Sequence, residues 1–425
     1  MKNITLFLLS ILLALALSAC GTNTPAADAE STDAESTESA AAESVETASP
    51  SASGNGTFGN DSFDVPKTMD EVRARTIDYF NALSAVKWIA PETMDYRDDC
   101  PWTTKLVYDK NQTYYGLPYS TYIQPGVGLE EFTDYLDAKS VYTGPLEYKK
   151  LIGGDCGSPR RAWAYGGALC GYGMTYDVWE YFVGQNIKEN KQPVIVKVGD
   201  YDDSHFDEKI PTFECIMGHN EAEALYEGYA KLKACDFIGH RFKLSGGTIA
   251  QHIQLIVDDA TVYRLGNGKI APSKSYLTYS EQTSTVHTVD GKKTTWLLNQ
   301  QISFTDLYSK GYIPMSIVSL QTETVTPVEM TVTGLSKPEN FGTSPVLKGT
   351  VKCNYNIFKL EAVITDKDGN TVSSGKYYPY GLSALASEIE LSMPVKELPA
   401  GDYHFKLNAV IGFGEKTVAN FDFKK

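Results

Sequence analysis

Residues 3–66 contain no lysine and no arginine, while nine aspartates and glutamates fall between residues 28 and 64. The formal net charge of −15 therefore divides as +1 at Lys2, −9 across this acidic stretch and −7 over everything that follows. Such a balance argues against nucleic acid as a partner and leaves no basic patch for anionic lipid. Apolar side chains are nearly missing from residues 21–62, which are mostly Ala, Ser, Thr, Glu, Gly and Asp. A segment with so little apolar surface to bury cannot offset the entropy of ordering, so residues 20–62 are expected to be a disordered tether. Regular cysteine spacing is missing too. Beyond Cys20, the thiols at Cys100, Cys156, Cys170, Cys215, Cys235 and Cys353 form neither a disulfide framework nor paired Cys-x-x-Cys zinc motifs. One or two disulfides fit that spacing, and so does a single cysteine with a special task.

At the N-terminus Lys2 is followed by an almost unbroken apolar run over residues 4–17, the length of a signal core and too short for a comfortable transmembrane helix. Leu17-Ser18-Ala19-Cys20 then supplies a small-residue cleavage site with cysteine directly after the cut. This pattern resembles the lipobox of bacterial lipoproteins. It implies a signal peptide over residues 1–19, lipidation of Cys20, and an extracytoplasmic protein anchored to the outer face of the cell membrane.

The rest of the chain is long enough for two domains with real cores. Residues 63–320 read as α+β. Thr68-Met69-Asp70-Glu71 is a capping box, after which Val72, Thr76, Tyr79, Phe80 and Leu83 recur at helical spacing. Further helices are expected near 129–138, 159–169 and 220–232, and strands near 193–198, 252–257, 276–280 and 313–318. Residues 328–425 read as all-β, with strands near 346–351, 359–365, 389–391 and 404–410. Turns at 366–370 and 398–403 complete an expected immunoglobulin-like sandwich. With no reactive constellation there, this region reads as a spacer or adhesive module.

Chemistry is expected in the first region. In Gly153-Gly154-Asp155-Cys156-Gly157-Ser158-Pro159 the glycines permit a tight turn, and proline is best tolerated in a first helical turn. Cys156 therefore falls at a helix N-terminus, where unpaired amides and the helix dipole favour a thiolate. A thiolate nucleophile needs an imidazole within reach and a third group to orient it. His252 is the best placed histidine: in Gln251-His252-Ile253-Gln254-Leu255-Ile256-Val257, strand alternation puts Ile253, Leu255 and Val257 on one face and His252 on the other. Other features carry less. Cys170 packs beneath the same helix or pairs with another thiol. Asp200, Asp202, Asp203 and His205 read as an acidic solvated loop before a cation site. His219 and His240 indicate nothing specific, and Trp163 and Trp179 read as core.

Taken in order, Gly116-Leu117-Pro118-Tyr119, Asp155-Cys156, Leu232-Lys233-Ala234-Cys235-Asp236, the His252 strand and Ser280-Glu281-Gln282-Thr283 resemble the NlpC/P60 and CHAP group of papain-like cysteine peptidases and amidases. The closing stretch 304–314 resembles the end of such relatives. The resemblance spans most of residues 68–320 and implies a papain-like α+β fold with no cofactor and no metal. It implies Cys156 as nucleophile, His252 as general base and Glu281 as the group orienting it, with Gln282 as the less favoured orienter. Tyr119 and Asp155 would line the substrate cleft. Family members cleave amide bonds of peptidoglycan peptides, so cell-wall peptide is the implied partner. The sequence departs from the family pattern in Gly157-Ser158 after the nucleophile, in Cys235 and Gln251 where glycines are usual, and in Thr283 for asparagine. Thirty-six residues separate Tyr119 from Cys156, which implies an inserted helix beside the cleft. Two readings follow: a membrane-anchored cell-wall hydrolase, or a non-catalytic surface lipoprotein whose papain-like domain binds wall peptide or a protein.

Overall fold

The structure, a computed structural model, describes residues 56–425 apart from 101–102, 104, 121–127, 155–157, 172–193, 208, 245 and 344–345. It opens with strand β1 (Gly56–Phe58) and helix α1 (Met69–Ala85). Strands β2 (Lys87–Ile89), β3 (Met94–Asp95), β4 (Val107–Tyr108) and β5 (Thr113–Tyr115) follow, then α2 (Leu129–Asp134) and α3 (Ser158–Gly166). Next come β6 (Ile195–Lys197), α4 (Thr212–Cys215) and α5 (Ala222–Tyr229). Four longer strands, β7 (Phe237–Lys243), β8 (Ile249–Ile256), β9 (Tyr276–Val289) and β10 (Lys292–Ser303), lead to α6 (Phe304–Ser309) and β11 (Ile313–Ile317). The last segment holds β12 (Met330–Thr333), α7 (Pro338–Phe341), β13 (Thr350–Asp366) and β14 (Thr371–Tyr377). It ends with β15 (Gly381–Leu385), β16 (Asp402–Ile411) and β17 (Gly414–Lys424). The fold is thus mixed α and β, and mostly β.

Helix α1 starts where its cap dictates. The Thr68 hydroxyl accepts the Glu71 amide at 3.2 Å, while the Glu71 carboxylate accepts the Lys67 amide at 2.6 Å. The box closes one residue before the cap instead of on it. Val72, Thr76, Tyr79, Phe80 and Leu83 are buried along one face, as helical spacing requires. Close by lies α3: a Cβ on Gly166 would stand 2.0 Å from the Thr76 hydroxyl oxygen, so only glycine fits at this crossing.

Behind these helices an eight-stranded sheet runs in the order β2-β5-β10-β9-β8-β7-β11-β6. Only β5 and β10 pair in parallel; the other neighbours are antiparallel. A second sheet joins seven strands through β13, which pairs with β12 and β15 near its start and with β14 and β16 near its end. The two strands expected at 346–351 and 359–365 are one here. Buried Cys353, Tyr355 and Ile357 keep the period of two running between them, and the asparagines interleaved with them do not break it. No strand forms at 389–391. Just past it, Ser392 and Met393 lie against β14 through hydrogen bonds with Ser373 and Ser374, without a ladder.

β1 also belongs to this second sheet, pairing Gly56–Phe58 with β12. Those residues fall within the stretch whose composition reads as tether; a strand held by backbone hydrogen bonds needs little side-chain surface. The sheets are not loosely strung. The described residues from Gly56 to Lys425 fall in one compact unit. The Tyr380 hydroxyl accepts the Gly128 amide at 2.7 Å, and Phe358 and Tyr380 lie in the core of the first region. Arg75 donates to the Gly412 carbonyl at 2.7 Å, and Lys376 pairs with Asp134 at the same distance.

Candidate functional site

The turn before β7 is locked from below. Arg73 on α1 donates to Asp236 at 3.1 Å, and Ser316 on β11 donates to the same carboxylate at 2.6 Å. Cys235, fully buried, takes the left-handed conformation with φ of 74°, the region that favours glycine. Its cost is offset on both sides: the Cys235 amide donates to Ile256 at 2.7 Å, and the Trp163 indole donates to the Cys235 carbonyl at 3.0 Å. Trp163 is accordingly core, as composition indicated. The turn delivers the chain into β7, and β8 pairs back on it with His240 opposite His252.

Strand β9 then lies on the other side of β8, with Leu255 opposite Ser280 and Ile256 opposite Tyr279. Followed outward, this register sets Gln254 across from Glu281, with His252 on the same face two residues away. The side chains meet accordingly. His252 Nε2 is in hydrogen-bond contact with Glu281 Oε2, and Gln254 Nε2 donates to that oxygen at 3.0 Å. The Glu281 side chain is 9% exposed and the imidazole 20%, so the acid sits inside and the base at the rim. With Nε2 engaged by the carboxylate, Nδ1 is the ring atom left for another partner.

Burial by itself would push the Glu281 carboxyl up. The hydrogen bond and charge of His252, the Gln254 amide and the charge of His287 outweigh it and hold the group below its usual range. A carboxylate kept ionised beside an imidazole fixes the ring's tautomer and orientation. Two further histidines surround the pair. His240 is pushed down to about 4, first by burial, with the Lys310 carbonyl opposing and the nearby charge of His252 adding to the fall. Because a carbonyl only accepts, the 3.1 Å contact between His240 Nδ1 and Lys310 places the proton on Nδ1. The ring is sandwiched on Tyr312 at 4.0 Å and lies 6.4 Å from His252. Burial also lowers His287, whose Nε2 meets the Thr283 hydroxyl at 3.0 Å, and pushes Tyr279 up to about 12.

The remaining motifs converge on β9 from its other face. Gly116, with φ of 76°, fits where a Cβ would strike the Trp296 ring. Tyr119 is buried and bridges Gly154 in parallel: the Gly154 amide donates to Pro118 at 2.8 Å, and the Ser120 amide donates to Gly154 at 2.7 Å. A Cβ on Gly153 would stand 2.3 Å from the Pro118 carbonyl oxygen, so this glycine serves close approach. Helix α3 begins at Ser158, with Pro159 in its first turn. Ser158 does not face His252; its hydroxyl donates to Gln282 at 2.9 Å. Gln282 therefore does not orient the imidazole.

Cys20, Asp155, Cys156 and Trp179 lie outside the described residues. Of the other sequence candidates, His252 and Glu281 come together and Tyr119 borders Gly154. Asp203 pairs with Lys197 at 2.8 Å, His205 stacks on His219 at 3.8 Å, and Asp202 accepts the Ser204 amide at 2.8 Å. Among the described residues no group of three His, Cys, Asp or Glu side chains is arranged to hold a metal ion. Cys170 packs toward the second sheet, where Asn354 donates to it at 3.5 Å; Cys100, Cys170, Cys215, Cys235 and Cys353 are all free thiols. Sequence reading gave no role to Gln254 and none to His240. The period of two that isolated His252 also places Gln254 beside it, whereas His240 depends on the β7–β8 register, which no local pattern supplies.

Comparison with known proteins adds little. No family model matches the chain, and no curated protein does. A solved structure described as a tetra-tandem repeat in the extending region of a large adhesion protein is similar over 44% of this chain, at 10% identity and a TM-score of 0.16. The similarity spans 66% of that protein's length, and likeness of this degree carries no argument about fold or function.

Proposed function

We propose that this chain is a membrane-anchored cysteine hydrolase of the NlpC/P60 and CHAP type, cleaving amide bonds of peptidoglycan peptides outside the cell. The observation that carries the reading is the contact between His252 and Glu281, two residues 29 positions apart that an ordered set of short motifs singles out together. Supporting it are a helix that begins two residues after Cys156 and a base mounted on the antiparallel β7–β8–β9 strands, the arrangement expected of a papain-like domain. For residues 328–425 an immunoglobulin-like sandwich is supported by β13, whose partners change across an irregularity between Lys352 and Ile357; such bends let one strand serve two layers. Cys20, which directly follows the apolar run 4–17 and its small-residue cleavage site, carries the lipid in this reading.

In this chemistry the Cys156 thiol gives its proton to His252 Nδ1, the atom that Glu281 leaves free. The sulfur adds to the amide carbonyl carbon, with neighbouring backbone amides holding the developing oxyanion. Collapse breaks the C–N bond as the imidazolium protonates the departing amine. Water then adds to the thioester carbonyl while the imidazole takes its proton, and the C–S bond breaks to release the acid and restore the thiol. Glu281 stays ionised throughout and orients the ring.

The test is direct. Burial pushes the thiols of Cys100, Cys170 and Cys215 up, Cys353 to about 11 and Cys235 to about 12, so none of the five is a ready nucleophile. Iodoacetamide at pH 7 is expected to label Cys156 at least about tenfold faster than any of them. Cys156→Ala is expected to abolish release of wall fragments with an unchanged thermal transition. Equal, slow labelling of all thiols, with wall binding identical in both proteins and no release by either, overturns the hydrolase and leaves the non-catalytic binder.

A further inference from the structure

Where the first region meets the second at α2, tyrosines and acids are arranged in pairs. The Gly128 amide donates to the Tyr380 hydroxyl at 2.7 Å and the Leu129 amide to the Tyr79 hydroxyl at 3.0 Å, so each region supplies one tyrosine. The Tyr79 hydroxyl gives its own proton to Glu130 at 3.1 Å, and the Tyr380 hydroxyl turns its proton to Glu131. Only glycine fits between them: a Cβ at Gly128 would stand 2.8 Å from Glu130 Oε2 and 2.9 Å from the Tyr380 ring. Tyr380 is itself buried between β14 and β15 with φ of 43°, a left-handed backbone that a bulky residue enters only at a cost. The fold accepts that strain at the residue that meets α2.

The charges facing Glu131 do not balance its burial. Arg161 on α3 attracts it, while Asp134 on its own helix repels it, and burial outweighs both and pushes the acid up to about 7. Burial raises neighbouring Glu130 as well, against Lys359 of β13. Lys376 is taken up by Asp134 at 2.7 Å, and Tyr135 and Tyr142 each feel the charge of Glu131. We infer that this contact is a pH-sensitive coupling between the two regions, closed while Glu131 holds a proton and loosened when the acid ionises. It stands whether or not the chain is a hydrolase. Opening the contact lets the acid hydrate and return to its ordinary range, so the closed form binds a proton that the open form releases. Opening therefore becomes easier as pH rises from the ordinary carboxylate range to about 7, and levels off above it. Other ties between the regions, such as the Gly171 amide donating to the Asn354 carbonyl at 2.7 Å, do not involve this acid.

The experiment follows amide-exchange protection in the full-length chain across this pH range, corrected for the intrinsic pH dependence of exchange. Gly128 is expected to lose at least about tenfold in protection between about pH 5 and 7.5, most of it below pH 7. Gly171, and Ile256, which donates to the Asp236 carbonyl at 2.9 Å, are expected to hold theirs within about twofold. Glu131→Gln, neutral at every pH, is expected to abolish the loss at Gly128. A flat Gly128 profile overturns the inference, as does an unchanged loss in the glutamine variant. Equal loss at all three amides also overturns it, because it marks global destabilisation and not a local opening. Should the variant not fold, the wild-type Glu131 carboxyl resonance decides: titration in step with Gly128 upholds the coupling, and titration in the ordinary glutamate range sinks it.

Discussion

The two sheets keep different things inside. Between its strands and covering helices the eight-stranded sheet buries Gln254, Ser280, Glu281, Gln282, Thr295 and Ser316. The buried polar side chains of the seven-stranded sheet are Asn356, Ser373 and Asn408, set among a core of Val, Ile, Leu and Phe. A buried polar group is costly unless its hydrogen bonds are made, so a sheet that retains several gives up apolar stabilisation in exchange for fixed geometry. The difference teaches where precision is needed: the first sheet positions groups, and the second supplies a firm body that holds the first through Tyr380, Phe358 and Gly412.

That contrast can be broken most sharply from the apolar side. Ile364, fully buried on β13, should cost about 2–5 kcal/mol when truncated to alanine, read from the urea midpoint. Cys156 labelling per folded molecule should not change; if it slows, the second sheet is tuning the site and the division fails. A smaller effect is expected within the polar sheet. Gln254→Leu removes a donor that helps hold Glu281 below its usual range, so the carboxyl rises. Protonation of Glu281 then begins at higher pH, and the acid limb of thiol reactivity should move up. An unmoved limb would show that His252 alone sets the acid.

The least effect concerns the contact between the regions. Burial pushes Glu131 on α2 up to about 7, with Asp134 adding to the rise and Tyr380 and Arg161 opposing it. Between the ordinary carboxylate range and pH 7 the folded protein therefore holds a proton that the unfolded chain has released. Stability from this group is full at low pH and declines as pH rises through that window. Glu131→Gln should flatten the decline between pH 5 and 8 in denaturant titrations, and a slope equal to wild type would remove Glu131 as its source.

Much of this was legible in the residues because it is local or periodic. The Thr68 cap and the apolar stripe of α1 are written within one helix, and the alternation around His252 is written within one strand. Glu281 was reachable only because a family pattern links it to His252 across the intervening chain. The rest depends on register between distant strands. Nothing near His240 announces that β7 will set it opposite His252, and nothing near Tyr380 announces that it will accept an amide from Gly128. Cys235 is a case of the opposite kind: its neighbours mark a turn, but the residue conceals the left-handed backbone that a glycine would have advertised.

The short ladder between β1 and β12 has a mechanical meaning. Tension arriving along the N-terminal segment meets three paired residues of the second sheet before it meets α1. Under such a load the ladder would open before α1, which the Thr68 cap and the Arg73–Asp236 pair hold in place.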